Sequence, residues 1–258
     1  MGFFLFLSSF LVKQKGPILR GRDIKRYGYE WANLYLIATF PARKYNIEQY
    51  PAVKHYLLTF AYDYLIENKN ELVAKNHLEE YCMKKLSQSG EYIIINGKHV
   101  LDGNGNKEKG RKKTTNKWFE TQDSISYWDD FFKPKICWKA VGRNLTFAIV
   151  EAGTFLTAPA SFIQAGKYNE YIMAFLCSSV GKYFIYQNSD TTGAGDIMLN
   201  IQSLIKFPIP ISAEIKHLSE MVVQQSKEYD ESRQNEINHC LYRVYGFNED
   251  EIEQIECT

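Results

Sequence analysis

The sequence predicts a mixed α+β fold, β-rich through its middle with helices inserted, followed by a C-terminal amphipathic helical segment. Three observations carry this reading. Apolar residues recur at helical spacing from Val53 to Tyr64 and again after residue 212. Short β-branched and apolar runs bounded by turn signals fill the stretch 91–156. Pro208 and Pro210 stop whatever precedes them and deliver the chain to a new element. With 258 residues, 45% apolar and 15% aromatic, the chain has ample material for a packed core. That excludes disorder, collagen and small disulfide scaffolds. The expected division is a basic part, 1–210, and an acidic helical part, 211–258.

Taken in order, the elements begin with the apolar run 3–12 (FFLFLSSFLV). It falls short of the roughly 18–20 residues of a membrane span, and no Lys or Arg precedes it as in a signal peptide. It reads as a core segment, so Met1 is not expected to be the natural start of a domain. A basic stretch follows the Gly16-Pro17 turn signal, and 33–40 (NLYLIATF) has the length of a buried strand. Val53, Leu57, Phe60, Ala61 and Tyr64 predict a helix after Pro51, and Leu72, Leu78, Cys82 and Leu86 a second.

Residues 91–101 (EYIIINGKHVL) place Asn96-Gly97 between two strand-like runs, a strong hairpin signal. The stretch 104–117 (NGNKEKGRKKTTNK) holds six basic residues, one acid and no apolar residue, so it is expected to bury nothing. Strands are expected at 135–140, 145–150 and 154–156, then one packed helix over 168–186. Beyond the prolines, Ile215, Leu218, Val222, Ile237, Leu241 and Val244 predict a long amphipathic helix or a helix pair. Gly246 fits the residue just past a helix end, and Asn248 with Glu251 fits a capping box for a last short helix.

Charge divides the chain. Residues 1–150 carry 24 Lys+Arg against 15 Asp+Glu, and 151–258 carry 7 against 15. The basic part suits a polyanion and the acidic part does not; ordinary solvated charge is the alternative. Cys82, Cys137, Cys177, Cys240 and Cys257 are odd in number and form no CxxC pair, which fits free thiols in the cytoplasm.

Several chemistries lack their residues. The seven prolines are never adjacent, so the D/N-P-P-Y/F turn of an amino-methyltransferase is missing. Gly105 to Gly110, followed by Arg111-Lys112, lacks the Lys and hydroxyl of a P-loop, and Gly193-Ala194-Gly195 lacks the third glycine of a dinucleotide fingerprint. His55, His77, His99, His217 and His239 lie far from one another and from any cysteine at ligand spacing. Asp63, Glu67 and Lys69 do not share a helix face, and no Ser/His/Asp set has a supporting motif. No catalytic, metal or cofactor site is therefore expected in this chain.

Five blocks, in order, carry a resemblance: 16–27 (GPILRGRDIKRY), 118–123 (WFETQD), 133–138 (KPKICW), 207–210 (FPIP) and 240–252 (CLYRVYGFNEDEI). Together they resemble the TaqI-like C-terminal specificity domain of N6-adenine DNA methyltransferases and type IIG restriction-modification enzymes. The resemblance spans 16–255 and implies a target recognition domain, which selects a DNA sequence so that a separate methyltransferase domain flips and methylates an adenine. The family's S-adenosylmethionine-binding and catalytic motifs precede this domain. Nothing before Gly16 has room for them, so a truncated or split gene, or a separate catalytic polypeptide, is expected. The implied partners are double-stranded DNA and a methyltransferase domain or subunit, with no membrane.

Residue by residue, the DNA-binding candidates are Arg20, Arg22, Lys25 and Arg26, then Arg111, Lys112, Lys113, Lys117, Lys139 and Arg143. Phosphate contacts from such cations position the protein, whereas an Arg on a guanine edge reads sequence. The alternative is that Arg20 and Arg22 brace the fold, with Asp23 locking one of them. For Trp118, Trp128 and Trp138 the choice lies between core packing and base stacking. The acidic tail, with 11 acids against 4 bases over 212–258, is expected to turn from DNA and pack on its own domain or on a methyltransferase partner. A general RNA- or anion-binding protein is the remaining rival.

Overall fold

The computed structural model describes residues 15–67, 75–87, 90–111, 114–121 and 124–258. The run 3–12, together with Lys112 and Lys113, lies outside them. The described chain is α+β and forms two compact units: the described residues of Ile37–Ser126, and 15–36 joined to 127–258. Helices after residue 211 belong to the latter unit together with 127–210.

In the first unit, α1 (Pro51–Glu67) and α2 (Leu78–Ser87) lie where the helical spacing put them, with Leu72, the first position of the second pattern, outside the described residues. The buried line of α1 differs from the expected one. Val53 and Leu65 are buried while Phe60 and Tyr64 stand exposed. The cause is local packing: Leu58 and Leu65 meet Leu78, Tyr81, Ile93, Ile95 and Val100, and that contact turns Phe60 and Tyr64 outward.

The hairpin forms as read, with Ile94–Ile95 antiparallel to Lys98–His99. Asn96 and Gly97 both take positive φ, 50° and 73°, the requirement of a tight primed turn. The stretch 104–117 corrects its expectation. Residues 107–109 close across the open end of the hairpin, where Ile93 N–H donates to Glu108 O (2.9 Å) and Glu108 N–H to Val100 O (2.8 Å). Alternation then points Glu108 inward between two outward lysines. Its buried carboxylate accepts from Tyr81 Oη (3.1 Å) and pairs with Lys85.

In the second unit the central sheet runs Ala160–Ile163, Lys135–Lys139, Phe147–Val150, antiparallel throughout. The strand Lys135–Lys139 is buried at its first four residues because both faces are covered. On one face Ile136, Trp138 and Phe147 join the helical core; on the other Cys137, Ala148 and Val150 pack with Leu19 and Ile24. The strand Lys15–Leu19 pairs in parallel with Phe155–Leu156. Ile18 N–H bonds Leu34 O (3.0 Å), just before the strand Tyr35–Ile37, which is shorter than the 33–40 run read as one.

Residues 168–186 form two helices where one was expected. α3 (Asn169–Leu176) ends, Ser178 caps α4 (Ser179–Asn188) through Gly181 N–H (3.1 Å), and the chain turns sharply between them. Gly181 permits this turn, since a Cβ there would sit 2.1 Å from the Phe175 carbonyl oxygen. After the single turn α5 (Ile201–Leu204) and the prolines come α6 (Ile215–Lys227), α7 (Glu231–Tyr245) and α8 (Glu249–Glu256). Gly246 takes φ 71° as the residue ending α7, and Asn248 with Glu251 makes the capping box of α8.

The acidic tail packs on its own unit. Leu218, Met221, Val222, Ile237, Cys240, Leu241 and Ile255 share one core with Trp138, Phe147, Tyr171 and Phe175. Its acidic residues are exposed except Glu214, which is half-buried and accepts from the Cys240 thiol (3.6 Å).

Candidate nucleic-acid interface

The GRDIKRY segment separates into cations that brace and cations that do not. Arg20 forms a fork on Asp23, with Nε–Oδ2 2.9 Å and Nη2–Oδ1 2.8 Å, and its backbone N–H binds the same carboxylate (2.9 Å). Asp23 is buried, and the Arg20 guanidinium holds its carboxyl below the usual carboxylate range. The same bonds push Arg20 further up. The bracing alternative is therefore realised by Arg20.

Arg26 also braces. Its Nη2 donates to Cys177 O at the end of α3 (2.8 Å) and its Nη1 to Tyr229 Oη (3.1 Å), with the guanidinium 5.4 Å from the Tyr229 ring centre. Beside it Tyr27, buried at φ 66°, donates its hydroxyl to Gln234 Oε1 of α7 (2.7 Å). The segment thus ties the small hairpin Ile24–Lys25/Gly28–Tyr29 to the helices.

Arg22 is different. It is exposed, and among the described residues no hydrogen bond or ion pair holds its guanidinium. Lys139, at the exposed end of its strand, runs its stem along Gly21, where a Cβ would lie 2.9 Å from Lys139 Cγ. Its ammonium group likewise has no acidic partner among the described residues. The missing side chain at Gly21 therefore leaves room for the Lys139 stem, whose ammonium group lies over Gly142. Lys25 reaches Arg22 O (3.2 Å) and Glu30 (3.4 Å), and Arg143, 81% exposed at its side chain, stands 3.8 Å from Asp196. All six of these residues lie in the second unit.

Arg111 and Lys117 belong to the first unit. Arg111 is exposed; Lys117 Nζ donates to Tyr45 O (3.1 Å) and lies 5.7 Å from the Phe119 ring centre. Trp128 and Trp138 pack as core, and Trp118 is half-buried at the edge of a small cluster. Trp138 is fully buried with Nε1 on Leu199 O (3.0 Å), Trp128 is buried against Phe155, and Trp118 packs with Ile47, Val53 and Phe119 while its Nε1 binds Glu79 Oε1 (3.1 Å). A cleft of about 290 Å³ opens beside Trp118 and Asn46.

Two features escaped the sequence reading. Lys135 is fully buried with Nζ on the carbonyls of Phe131 (2.9 Å) and Lys133 (3.1 Å), and burial lowers it to about 8. Nothing in a Lys-Pro-Lys string marks which lysine points inward. Tyr92, 45% exposed, lies under Lys107 Nζ (5.6 Å to the ring centre) and Lys109 Nζ (5.1 Å). The period-2 alternation Lys107-Glu108-Lys109 was the available signal. Buried Cys137 and Cys177 are pushed up to about 12 by desolvation, which leaves both thiols unreactive.

Residues 16–209 match the family described as TaqI-like C-terminal specificity domain. A comparison with curated proteins finds no match. No helix of the described residues is long and apolar enough to cross a membrane.

Proposed function

The chain belongs to the TaqI-like C-terminal specificity domain family, and we propose that it selects the site at which a methyltransferase domain methylates N6 of adenine. DNA recognition in methyltransferase or restriction-modification systems is the role of this family. The observation that supports DNA readout by this chain's own residues is the sorting of cations around Gly21, while the choice of adenine N6 follows from the family resemblance. Arg20 and Arg26 are consumed in holding the segment rigid, while Arg22 and Lys139 remain uncommitted beside it.

Such an arrangement suits a duplex. A guanidinium on a braced turn adds no backbone ordering cost when it forms a bidentate contact to a guanine edge. An unpaired ammonium group in the same unit contacts phosphate, adding affinity and salt dependence without sequence information. In this reading Arg22 reads, and Lys25, Lys139 and Arg143 position; Arg111, Lys112, Lys113 and Lys117 are further candidates for phosphate contact.

The methyl donor S-adenosylmethionine belongs to the catalytic domain, carried on the same polypeptide or on a partner subunit. The unpaired cysteines fit a cytoplasmic setting for both. The test is to express the chain with that methyltransferase domain and map N6-methyladenine across a plasmid. Methylation confined to one short motif, which changes when residues 16–209 are exchanged for those of another family member, is the expected result. A motif that stays the same after the exchange overturns the proposal.

A further inference from the structure

The open end of the hairpin in the first unit carries a basic aromatic surface with no assigned role. Tyr92 is 45% exposed and Ile94 42%, both on the outward side of the alternation whose inward side is Ile93, Ile95, Val100 and Glu108. Lys109 pairs directly across from Tyr92, and Lys107 lies two residues away on the same side. Both ammonium groups stand within cation–π reach of the one ring, at 5.1 and 5.6 Å. The His99 ring meets Tyr92 edge-on at 5.5 Å and fixes it from the side.

The only acid in the strand points away. Glu108 is buried, satisfied by Lys85 and Tyr81, so its charge is spent inside the unit. Neither Lys107 nor Lys109 has a hydrogen-bond or ion-pair partner among the described residues. Two cations that an aromatic ring gathers on one side, with no carboxylate to neutralise them, make a site for a polyanion.

We infer that Tyr92, Lys107 and Lys109 form an anchor for the sugar-phosphate backbone of duplex DNA. The spacing argues for this occupant. The Cα atoms of residues i and i+2 of an extended strand stand about 6.8 Å apart, so the two lysine stems can reach neighbouring phosphates along one DNA strand. The apolar flank of Ile94 and the Tyr92 ring meet the deoxyribose between those phosphates. The inference rests on the DNA-recognition reading and adds to it a contact surface that lies apart in sequence from Arg22 and Lys139.

Lys107→Gln with Lys109→Gln keeps most of each apolar stem and removes both charges. The measurement is fluorescence anisotropy of the full chain on a labelled mixed-sequence duplex across a salt series. Loss of two phosphate contacts lowers the slope of log affinity against log salt by about 1.8, which is about 30-fold weaker binding near 0.15 M salt. Tyr92→Phe is expected to match the wild type and Tyr92→Leu to lose part of the slope, because only the aromatic ring holds the ammonium groups. Melting curves of each variant confirm that it is folded. A wild-type chain that binds duplex alongside a double variant of unchanged slope overturns this anchor alone. A Tyr92→Leu chain equal to wild type overturns the role given to the ring, and a wild-type chain that binds no duplex overturns both this inference and the reading beneath it.

Discussion

Arg22→Ala combined with Lys139→Ala separates a reading surface from a structural one. Both side chains are exposed and neither is held by an ion pair among the described residues, so their removal leaves the core untouched. With Lys139 on a phosphate and Arg22 on a base edge, the salt slope of duplex binding falls by about 0.9, for the one lost phosphate contact, while the loss of Arg22 relaxes sequence preference. Between 50 and 200 mM salt that difference amounts to a roughly 3.5-fold smaller loss of affinity for the variant than for wild type.

Arg20→Ala is the internal control. It removes a fork on buried Asp23, so it is expected to lower the melting temperature and to leave the slope nearly unchanged. Its effect on stability is present at neutral pH and fades as pH falls through the depressed range in which Asp23 titrates, since protonation ends the pairing. Titration of labelled duplex at four or five salt concentrations reads the slopes. Equal slopes for wild type and the Arg22/Lys139 variant, or a larger slope change for Arg20→Ala, would refute the sorting of cations on which the function rests.

Gly181→Ala tests the turn between α3 and α4. Alanine gains about 1 kcal/mol in helix propensity, but its Cβ would press on backbone, 2.1 Å from Phe175 O and 3.0 Å from Leu176 Cα. Overpacking at such a site costs up to about 3 kcal/mol, so the net loss of about 2 kcal/mol is expected to lower the melting temperature by about 4–8 °C; an unchanged melting temperature refutes the close approach. Lys135 gives a pH signature. Its folded pKa of about 8 lies below the ordinary 10.5, so the unfolded chain holds more protons between those values and wild-type stability rises there relative to Lys135→Met. Parallel melting curves of the two proteins over that pH interval check the sign.

Much of the fold is legible in the residues themselves. The Asn96-Gly97 turn, the strand Lys135–Lys139, the stops at Pro208 and Pro210 and the caps at Gly246 and Asn248 all follow from local chemistry acting over a few residues. What periodicity does not carry is which of two adjacent faces meets a neighbour. Phe60 and Tyr64 share a helical stripe with Val53 and Leu57, yet the contact with α2 and the hairpin is made through Leu58 and Leu65. The break at Cys177-Ser178 is equally hidden, because Gly181 reads as a small packing residue until Phe175 O is seen beneath it.

The candidate site was legible by composition and illegible by role. Arg20, Arg22, Lys25 and Arg26 look alike in sequence, and only partners seen in the structure distinguish them: Asp23 for Arg20, Cys177 O and Tyr229 for Arg26, Glu30 for Lys25, and no hydrogen bond or ion pair among the described residues for the Arg22 guanidinium. Glu108 shows the same limit from the other side. Set among six basic residues it reads as solvated, and strand alternation alone turns it into a buried anchor that leaves two lysines facing out.

The central claim is that this chain reads a DNA sequence. Selecting the purified chain on a randomised duplex pool at about 150 mM salt, where phosphate contacts alone bind weakly, and sequencing what is retained tests it most directly. Enrichment of one short motif, lost or relaxed at one position by Arg22→Ala, is the predicted outcome. A retained pool with no motif, or no retention at all, would contradict it.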